Sequence, residues 1–327
     1  MRYKKIFGEN CSVNIIYIDI YLGIDSFQSR IMGIMKKKIL VTGGNGFIGS
    51  HLVERLTLLK HKVNVVDVVG KGYNLDICSP DLSGLINKLK PEVIYHLAAD
   101  NRVTGSVREI LASNVIGTYS VLEACRQAKI KQFIFTSSAA VYGDPKFLPI
   151  TETHTTRPLS PYGLSKLTDE LYCQQFQKFF KTSIFRFANV YGPRQSSQSE
   201  GGVVAIFTNR LLKGQKPIIY GDVSQTRDFV YVYDVVDALI LALEKPQNFI
   251  LNIGSNQPVK ITDLLKKISG IIRAKPQHLV RSFRQMEIKH SLFDYHLAKQ
   301  VLGWQPKTEL KRGLNETVNY FTSIQRS

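Results

Sequence analysis

Tyr162 and Lys166 stand four residues apart in Pro161-Tyr162-Gly163-Leu164-Ser165-Lys166, a segment that reads as the opening of a helix. Side chains at i and i+4 share one helical face, so an ammonium can sit beside a phenol there. A free phenol titrates near ~10 and is mostly protonated at neutral pH. A neighbouring positive charge favours the phenolate and turns Tyr162 into a usable general base. Upstream, the apolar run Phe133-Ile134-Phe135 ends in three hydroxyls, Thr136, Ser137 and Ser138. Ser138 is then placed to hydrogen-bond an alcohol and to steady its oxygen as a carbonyl forms. Tyr-x-x-x-Lys is frequent by chance, so the elements that hold it must decide whether it works.

The first of those elements runs from Lys37 to Leu52. Ile39-Leu40-Val41 is a short apolar run of the kind that forms a buried parallel strand. It breaks into Gly43, Gly44, Gly46 and Gly49 and continues as Ile48, Leu52, Val53, Leu56 and Leu59, an apolar face at helical spacing. Strand, glycine turn and helix form the context of a dinucleotide-binding fingerprint, the plain alternative being an ordinary turn. Missing side chains let backbone N–H groups approach a pyrophosphate at the helix N-terminus. The next strand, Val63 to Asp67, ends in a carboxylate 18 residues past Gly49, near the ~20 at which an acidic side chain meets ribose hydroxyls. A carboxylate accepts from a 2′-OH and repels a 2′-phosphate. No arginine follows it, so NAD is expected rather than NADP. A further buried strand from Val93 runs through Leu97 into the small residues Ala98 and Ala99. Open α/β sheets hold ligands at the carboxyl ends of their strands, where the turn and the hydroxyls both fall.

Composition bounds the rest. At 327 residues the chain can form one large domain or two unequal ones. No apolar run approaches the ~18 residues of a membrane span. Cys11, Cys78, Cys125 and Cys173 are scattered without a Cys-x-x-Cys pair, which argues against a zinc site or disulfide framework and fits a reducing cytoplasm. The net charge of +17 raises nucleic acid as a partner. Yet Lys and Arg are dispersed and only Lys36–Lys38 forms a run, so the charge reads as solvated surface. Neither a nucleic-acid nor a membrane partner is expected. Residues 1–34 read as an N-terminal extension of no assigned function, alternating in apolar character from Val13 but lacking signal-peptide order.

Gly43-x-x-Gly46-x-x-Gly49 followed by Ser138, Tyr162 and Lys166 resembles the extended short-chain dehydrogenase/reductases, a superfamily that includes the NAD-dependent epimerase/dehydratase family. The similarity covers about residues 36–325 and is greatest to UDP-glucose 4-epimerases. It implies a Rossmann-type doubly wound parallel α/β sheet at 35–189, with segments returning at about 225–255. A smaller, discontinuous α/β substrate domain is implied at 190–224 and 256–327. It assigns NAD contacts to Gly43, Gly46, Phe47, Ile48, Asp67, Asp76, Ile77, Leu97, Ala98, Ala99, Asn114, Tyr162 and Lys166. Asn114 is also a candidate helix N-cap on residue type alone.

On the substrate side the resemblance implies contacts from Ser138 and from Asn189 in Phe185-Arg186-Phe187-Ala188-Asn189. Val203 and Tyr220 would form walls of a uridine pocket. Arg227, in Gln225-Thr226-Arg227-Asp228, would grip the diphosphate, a task suited to its fork of donors; Asp228 is expected to hold backbone. Arg284 and Glu287 would meet phosphate and ribose. The position of Ser291 would set the room beside the sugar C2, where a tyrosine excludes an N-acetyl group. Relatives that eliminate water carry an acid/base pair just after the serine. Ala139 and Ala140 stand there, and alanine moves no protons.

The implied activity is interconversion of UDP-glucose and UDP-galactose, with UDP-N-acetylglucosamine also accepted. Hydride would leave C4 for bound NAD while Tyr162 takes the O4 proton; the 4-keto sugar would turn, and hydride would return to its other face. The resemblance also implies a homodimer through helices at 114–127 and 162–179, and cell-surface polysaccharide supply is the pathway expected. The alternatives are a UDP-glucuronate 4-epimerase, an NAD(P)H-linked 4-keto-sugar reductase, or a non-catalytic Rossmann-type regulator or nucleic-acid binder.

Overall fold

The computed structural model describes residues 36–102, 106–198, 202–221, 223–282 and 288–326. The 1–34 extension, Arg284 and Glu287 lie outside the described residues. Strand β1 (Lys38–Thr42) is buried from Ile39 onward. Because strand side chains alternate, a strand buried on both faces must feed two cores. Ile39 and Val41 pack with Leu52 and Leu56 of helix α1 (Phe47–Leu58). Leu40 enters the opposite core with Val121 and Leu122.

Strands β2 (Lys62–Asp67), β3 (Tyr73–Asn74), β4 (Val93–His96), β5 (Gln132–Ser138), β6 (Lys181–Phe187) and β10 (Phe249–Ile253) join β1 in a seven-stranded sheet. Its order is β3-β2-β1-β4-β5-β6-β10, and every pairing is parallel. The order reverses between β1 and β4, so a crevice opens above their carboxyl ends. The doubly wound parallel fold expected from the sequence is present.

A third core is assembled from discontinuous segments. β7 (Asn189–Tyr191), β9 (Thr226–Tyr231) and β11 (Pro258–Lys260) form one small sheet, and β8 (Ile218–Tyr220) with β12 (Leu279–Arg281) forms another. Tyr191, Phe207, Phe229, Leu264 and Leu314 are buried together between them and the helices at Val203–Leu212, Ile261–Ile272 and Leu310–Arg326. β9 thus pairs with β7 and β11, while the helix that follows it, Val232–Glu244, packs against α1 under the large sheet. Helix Ile261–Ile272 has Lys260 at its N-cap, with no side-chain cap bond.

Candidate active site

β5 carries Ser138 as its last residue, and helix α4 (Pro161–Gln175; α2 and α3 are Asp81–Leu89 and Gly117–Gln127) begins one residue before Tyr162. Two local choices start α4 there. Ser160 accepts the Gly163 N–H at 3.0 Å, and Pro161 occupies the first turn, where its missing N–H costs nothing. The result brings the Tyr162 phenol beside Ser138, whose hydroxyl favours its ionised form. Tyr162 is enclosed by the fold but keeps part of its surface open. Burial pushes the phenol up to about 12, Ser138 pulls it down, and Asp169 adds an upward push.

Lys166 is buried on the same helical face. Its Nζ donates to Thr136 O at 2.9 Å and lies 4.6 Å from the Phe135 ring centre. Burial pushes the ammonium below its usual range, opposed by Asp169, Cys173 and Glu170. The sequence expectation relied on a nearby ammonium to lower the phenol. Here the ammonium is one turn from it and is engaged by strand β5.

Behind these residues lies a buried polar network that sequence reasoning missed. Arg186 on β6 meets Glu170 of α4 at 2.6 Å, and Ser137 Oγ donates to Glu170 Oε1 at 2.5 Å. Arg186 also donates to the Tyr142 hydroxyl at 2.8 Å, and Tyr142 donates to Asn252 Oδ1 at 2.7 Å. A charge-assisted fork with satisfied neighbours fixes α4 against β5 and β6. The available signal was an arginine inside the apolar strand Ile184-Phe185-Arg186-Phe187.

At the glycine turn, Gly43 has φ +69°, and a Cβ there would lie 2.5 Å from Ala98 N. A Cβ on Gly49 would lie 2.1 Å from Gly43 O, so α1 approaches the turn as only glycine permits. Gly46 is more open: a Cβ there would meet Gly43 O at 3.2 Å and nothing else within 4 Å. The first turn of α1 has neither a side-chain cap nor an acidic residue, so its N–H groups remain available to an anion. The turn and helix therefore fit a dinucleotide pyrophosphate.

Asp67 Oδ2 accepts the Asn45 N–H at 2.9 Å, and Asn45 Nδ2 donates to Val69 O and Lys71 O, pinning the short loop after β2. Asp76 accepts the Cys78 N–H at 2.8 Å, and Ile77 is buried. Leu97 and Ala98 extend β4 over the turn through Leu97 N to Thr42 O at 3.0 Å. Asn114 does not cap a helix. It lies within a π-helical stretch, Leu111–Ile116, fully buried, accepting from Asp100 N at 2.7 Å and donating to Ser165 Oγ at 2.8 Å. It ties the loop after Ala99 to α4. A cavity of about 650 Å³ beside the turn is lined by Gly44, Asn45, Val65, Lys71, Tyr73 and Arg194, among others. None of Ser138, Tyr162 or Lys166 lines it, so side-chain chemistry, not this hollow, locates the reaction.

Asn189 opens β7, Val203 is the first residue of its helix, and Tyr220 ends β8. Arg227 Nη1 donates to Thr226 O and Lys289 O at 2.9 and 3.1 Å. Asp228 holds backbone as expected: buried, it accepts from the N–H groups of Ser255, Asn256 and Phe293 and from Ser255 Oγ. Ser291 donates its N–H to Thr226 O at 3.2 Å, and its buried hydroxyl has no partner. The next residue, Leu292, accepts from Ile150 N at 2.7 Å, so Ser291 is coupled to the loop between Ser138 and Tyr162. No cluster able to hold a metal ion occurs among the described residues, and none of their helices is long and apolar enough to cross a membrane.

Residues 39–254 match the NAD dependent epimerase/dehydratase family. The UDP-glucose 4-epimerase of Mycolicibacterium smegmatis is 38% identical over 309 residues, covering 87% of this chain and 98% of that protein. The UDP-glucose 4-epimerase from Thermotoga maritima, solved with UDP-glucose, is 39% identical with TM-score 0.84, covering 88% of this chain and 99% of its own. The UDP-N-acetylglucosamine 4-epimerase from Methanobrevibacter ruminantium, solved with UDP-N-acetylmuramic acid, is 32% identical with TM-score 0.83, covering 89% and 100%. The chain belongs to the NAD dependent epimerase/dehydratase family, as an NAD-dependent enzyme of the nucleotide-sugar epimerase kind.

Proposed function

We propose that the protein interconverts UDP-glucose and UDP-galactose at C4 and accepts UDP-N-acetylglucosamine as well. The observation that carries this reading is the placing of Ser138 beside the Tyr162 phenol, where it favours the ionised form, with Ala139 and Ala140 next in the chain. Those side chains can take and return one alcohol proton. They supply no second acid/base pair for eliminating water. NAD, held by the Gly43–Gly49 turn and Asp67, supplies the hydride acceptor and, when oxidised, a positive charge. That charge favours the Tyr162 phenolate against the upward push of burial. Ser138 then holds the sugar O4 while Tyr162 removes its proton, and the same pair returns the proton after the sugar has turned.

Anchoring belongs to the third core. Asn189 and Arg227 would take the diphosphate, Val203 and Tyr220 the uridine, and Arg284 and Glu287 phosphate and ribose. Firm hold on the nucleotide and loose hold on the sugar permit rotation of the ring. The buried, unpartnered Ser291 hydroxyl supports the choice of N-acetylated substrates, because a small side chain occupies that position.

The working unit would be a homodimer. Ile116, Tyr119, Leu164, Leu171, Tyr172 and Phe179 are exposed on α3, α4 and the residues flanking them. Such a set of exposed apolar side chains on adjacent helices matches an interface more than a solvated face. The test is epimerisation of UDP-glucose and of UDP-N-acetylglucosamine without added cofactor, read as the C4 epimer by NMR. Turnover of UDP-glucose alone would overturn the substrate breadth. Turnover of UDP-glucuronate alone would overturn the proposed sugars.

A further inference from the structure

Helix α4 carries a carboxyl one turn past Lys166 that the chemistry above does not use. Asp169 is fully buried, and neither carboxyl oxygen has a hydrogen-bond partner. Burial pushes this carboxyl up to about 7, and where it ionises a nearby positive charge must compensate it. The groups that face it narrow the choice. On α4 itself these are Lys166, Glu170 and Cys173. Glu170 is committed to Arg186 and Ser137, and burial keeps the Cys173 thiol protonated. From α3 comes Thr118, whose hydroxyl lies near Asp169 but outside hydrogen-bond geometry and is engaged with His96 Nε2 at 2.9 Å. Cys125, also on α3, stands beside Cys173. From β4 comes His96 itself, held neutral by burial and bonded at its other nitrogen to Thr42 at 2.6 Å. Of these groups Lys166 is the cation without a carboxylate already assigned to it.

Lys166 has the complementary problem. It is buried, with one hydrogen bond to Thr136 O and the Phe135 ring beneath its ammonium. Burial drives it toward the neutral amine, and of the neighbours that resist this Asp169 is the strongest. We infer that Asp169 is a positioning residue for the epimerisation proposed above: its carboxylate is the buried counter-charge that keeps the Lys166 ammonium protonated beside Tyr162. The inference rests on that reading of the site. It also has a cost, because the same negative charge makes the Tyr162 phenol harder to ionise. Removing the charge must therefore ease deprotonation of both Lys166 and Tyr162.

This double effect is what a purely structural residue would not produce. In Asp169→Asn, a near-isosteric change, both limbs of the kcat–pH profile for UDP-glucose are expected to move to lower pH. The alkaline limb should move by about one unit or more, so activity at alkaline pH falls about tenfold relative to the unaltered protein. KM should stay within about twofold, since Asp169 touches no substrate. A lower kcat with an unshifted profile overturns the inference. A second measurement needs no turnover: the ¹³Cε resonance of Lys166 in lysine-labelled protein, assigned by its loss in Lys166→Met. Its titration midpoint should fall in Asp169→Asn, and an unchanged midpoint overturns the inference. If the unaltered protein epimerises no UDP-sugar, the proposed function fails while the Lys166 resonance still decides the role of Asp169. If Asp169→Asn does not fold, the unaltered protein serves. Its Lys166 resonance must show a second, smaller step as Asp169 ionises, and a single step overturns the inference.

Discussion

Tyr162 is held in the protonated form by the fold and must lose its proton to work. Ser138 is the neighbour that favours the loss. Tyr162→Phe keeps the ring and deletes the acid/base oxygen, so kcat should fall by about 10³-fold with KM little changed. Ser138→Ala removes the hydroxyl beside the phenol and should cost about 10²-fold in kcat. Ser291→Tyr should abolish turnover of UDP-N-acetylglucosamine and spare UDP-glucose; equal loss on both sugars would contradict the proposed pocket. Ser138 and Tyr162 could be singled out in the sequence because their types are chemically distinctive and their motifs local, whereas Ser291 was singled out by resemblance alone. Glu170, Arg186 and Asp169 were not, because a charged residue in sequence carries no sign of being buried. Only the packing of α4 on β5 and β6 shows that Glu170 and Arg186 face each other at 2.6 Å.

At the scale of elements, the site depends on how α4 is fixed to the sheet. Glu170→Gln would leave the Arg186 guanidinium buried without its counter-charge. The expected loss is about 3–5 kcal/mol of folding stability, read by urea denaturation. Gly43→Ala would force a Cβ to 2.5 Å from Ala98 N at a φ of +69°. It should therefore weaken NAD retention more than any change at the exposed Gly214, where a Cβ meets nothing within 4 Å. The strands and the glycine turn were readable because buried parallel strands announce themselves as apolar runs. Asn114 was harder. Its residue type suits a helix cap, whereas its actual place in a π-helical stretch depends on the contacts that Asp100 and Ser165 offer from elsewhere. The pairing of β9 with β7 and β11 is a similar case, since a short apolar strand does not state which sheet it joins.

At the scale of the whole molecule, two buried histidines set an acid limit. Burial pushes His51 down to about 4, with Arg194 adding to the effect, and pushes His96 down to about 3, with Lys166 adding to it. Their folded-state values lie below the unfolded ~6.5, so the unfolded chain binds protons first as pH falls. Stability should be independent of these groups above about pH 6.5. Below that it should fall by about 1.4 kcal/mol per pH unit for each histidine until the folded values are reached. Urea midpoints measured from pH 7.5 to 5 check this, and a flat profile would contradict it. Leu171→Glu on the exposed apolar face of α4 should yield a monomer by light scattering if that face joins two copies. The apolar stripe could be read in the sequence as helical spacing. Its exposure could not, because the same spacing serves a core.

The most direct measurement is C4 epimerisation by the purified protein with no added cofactor, followed by NMR, with Tyr162→Phe alongside. UDP-glucose and UDP-N-acetylglucosamine should each approach an equilibrium mixture with their C4 epimers, the variant should turn over about 10³-fold more slowly, and NAD should remain bound through turnover. Absence of either epimer even with NAD supplied would contradict the proposed function.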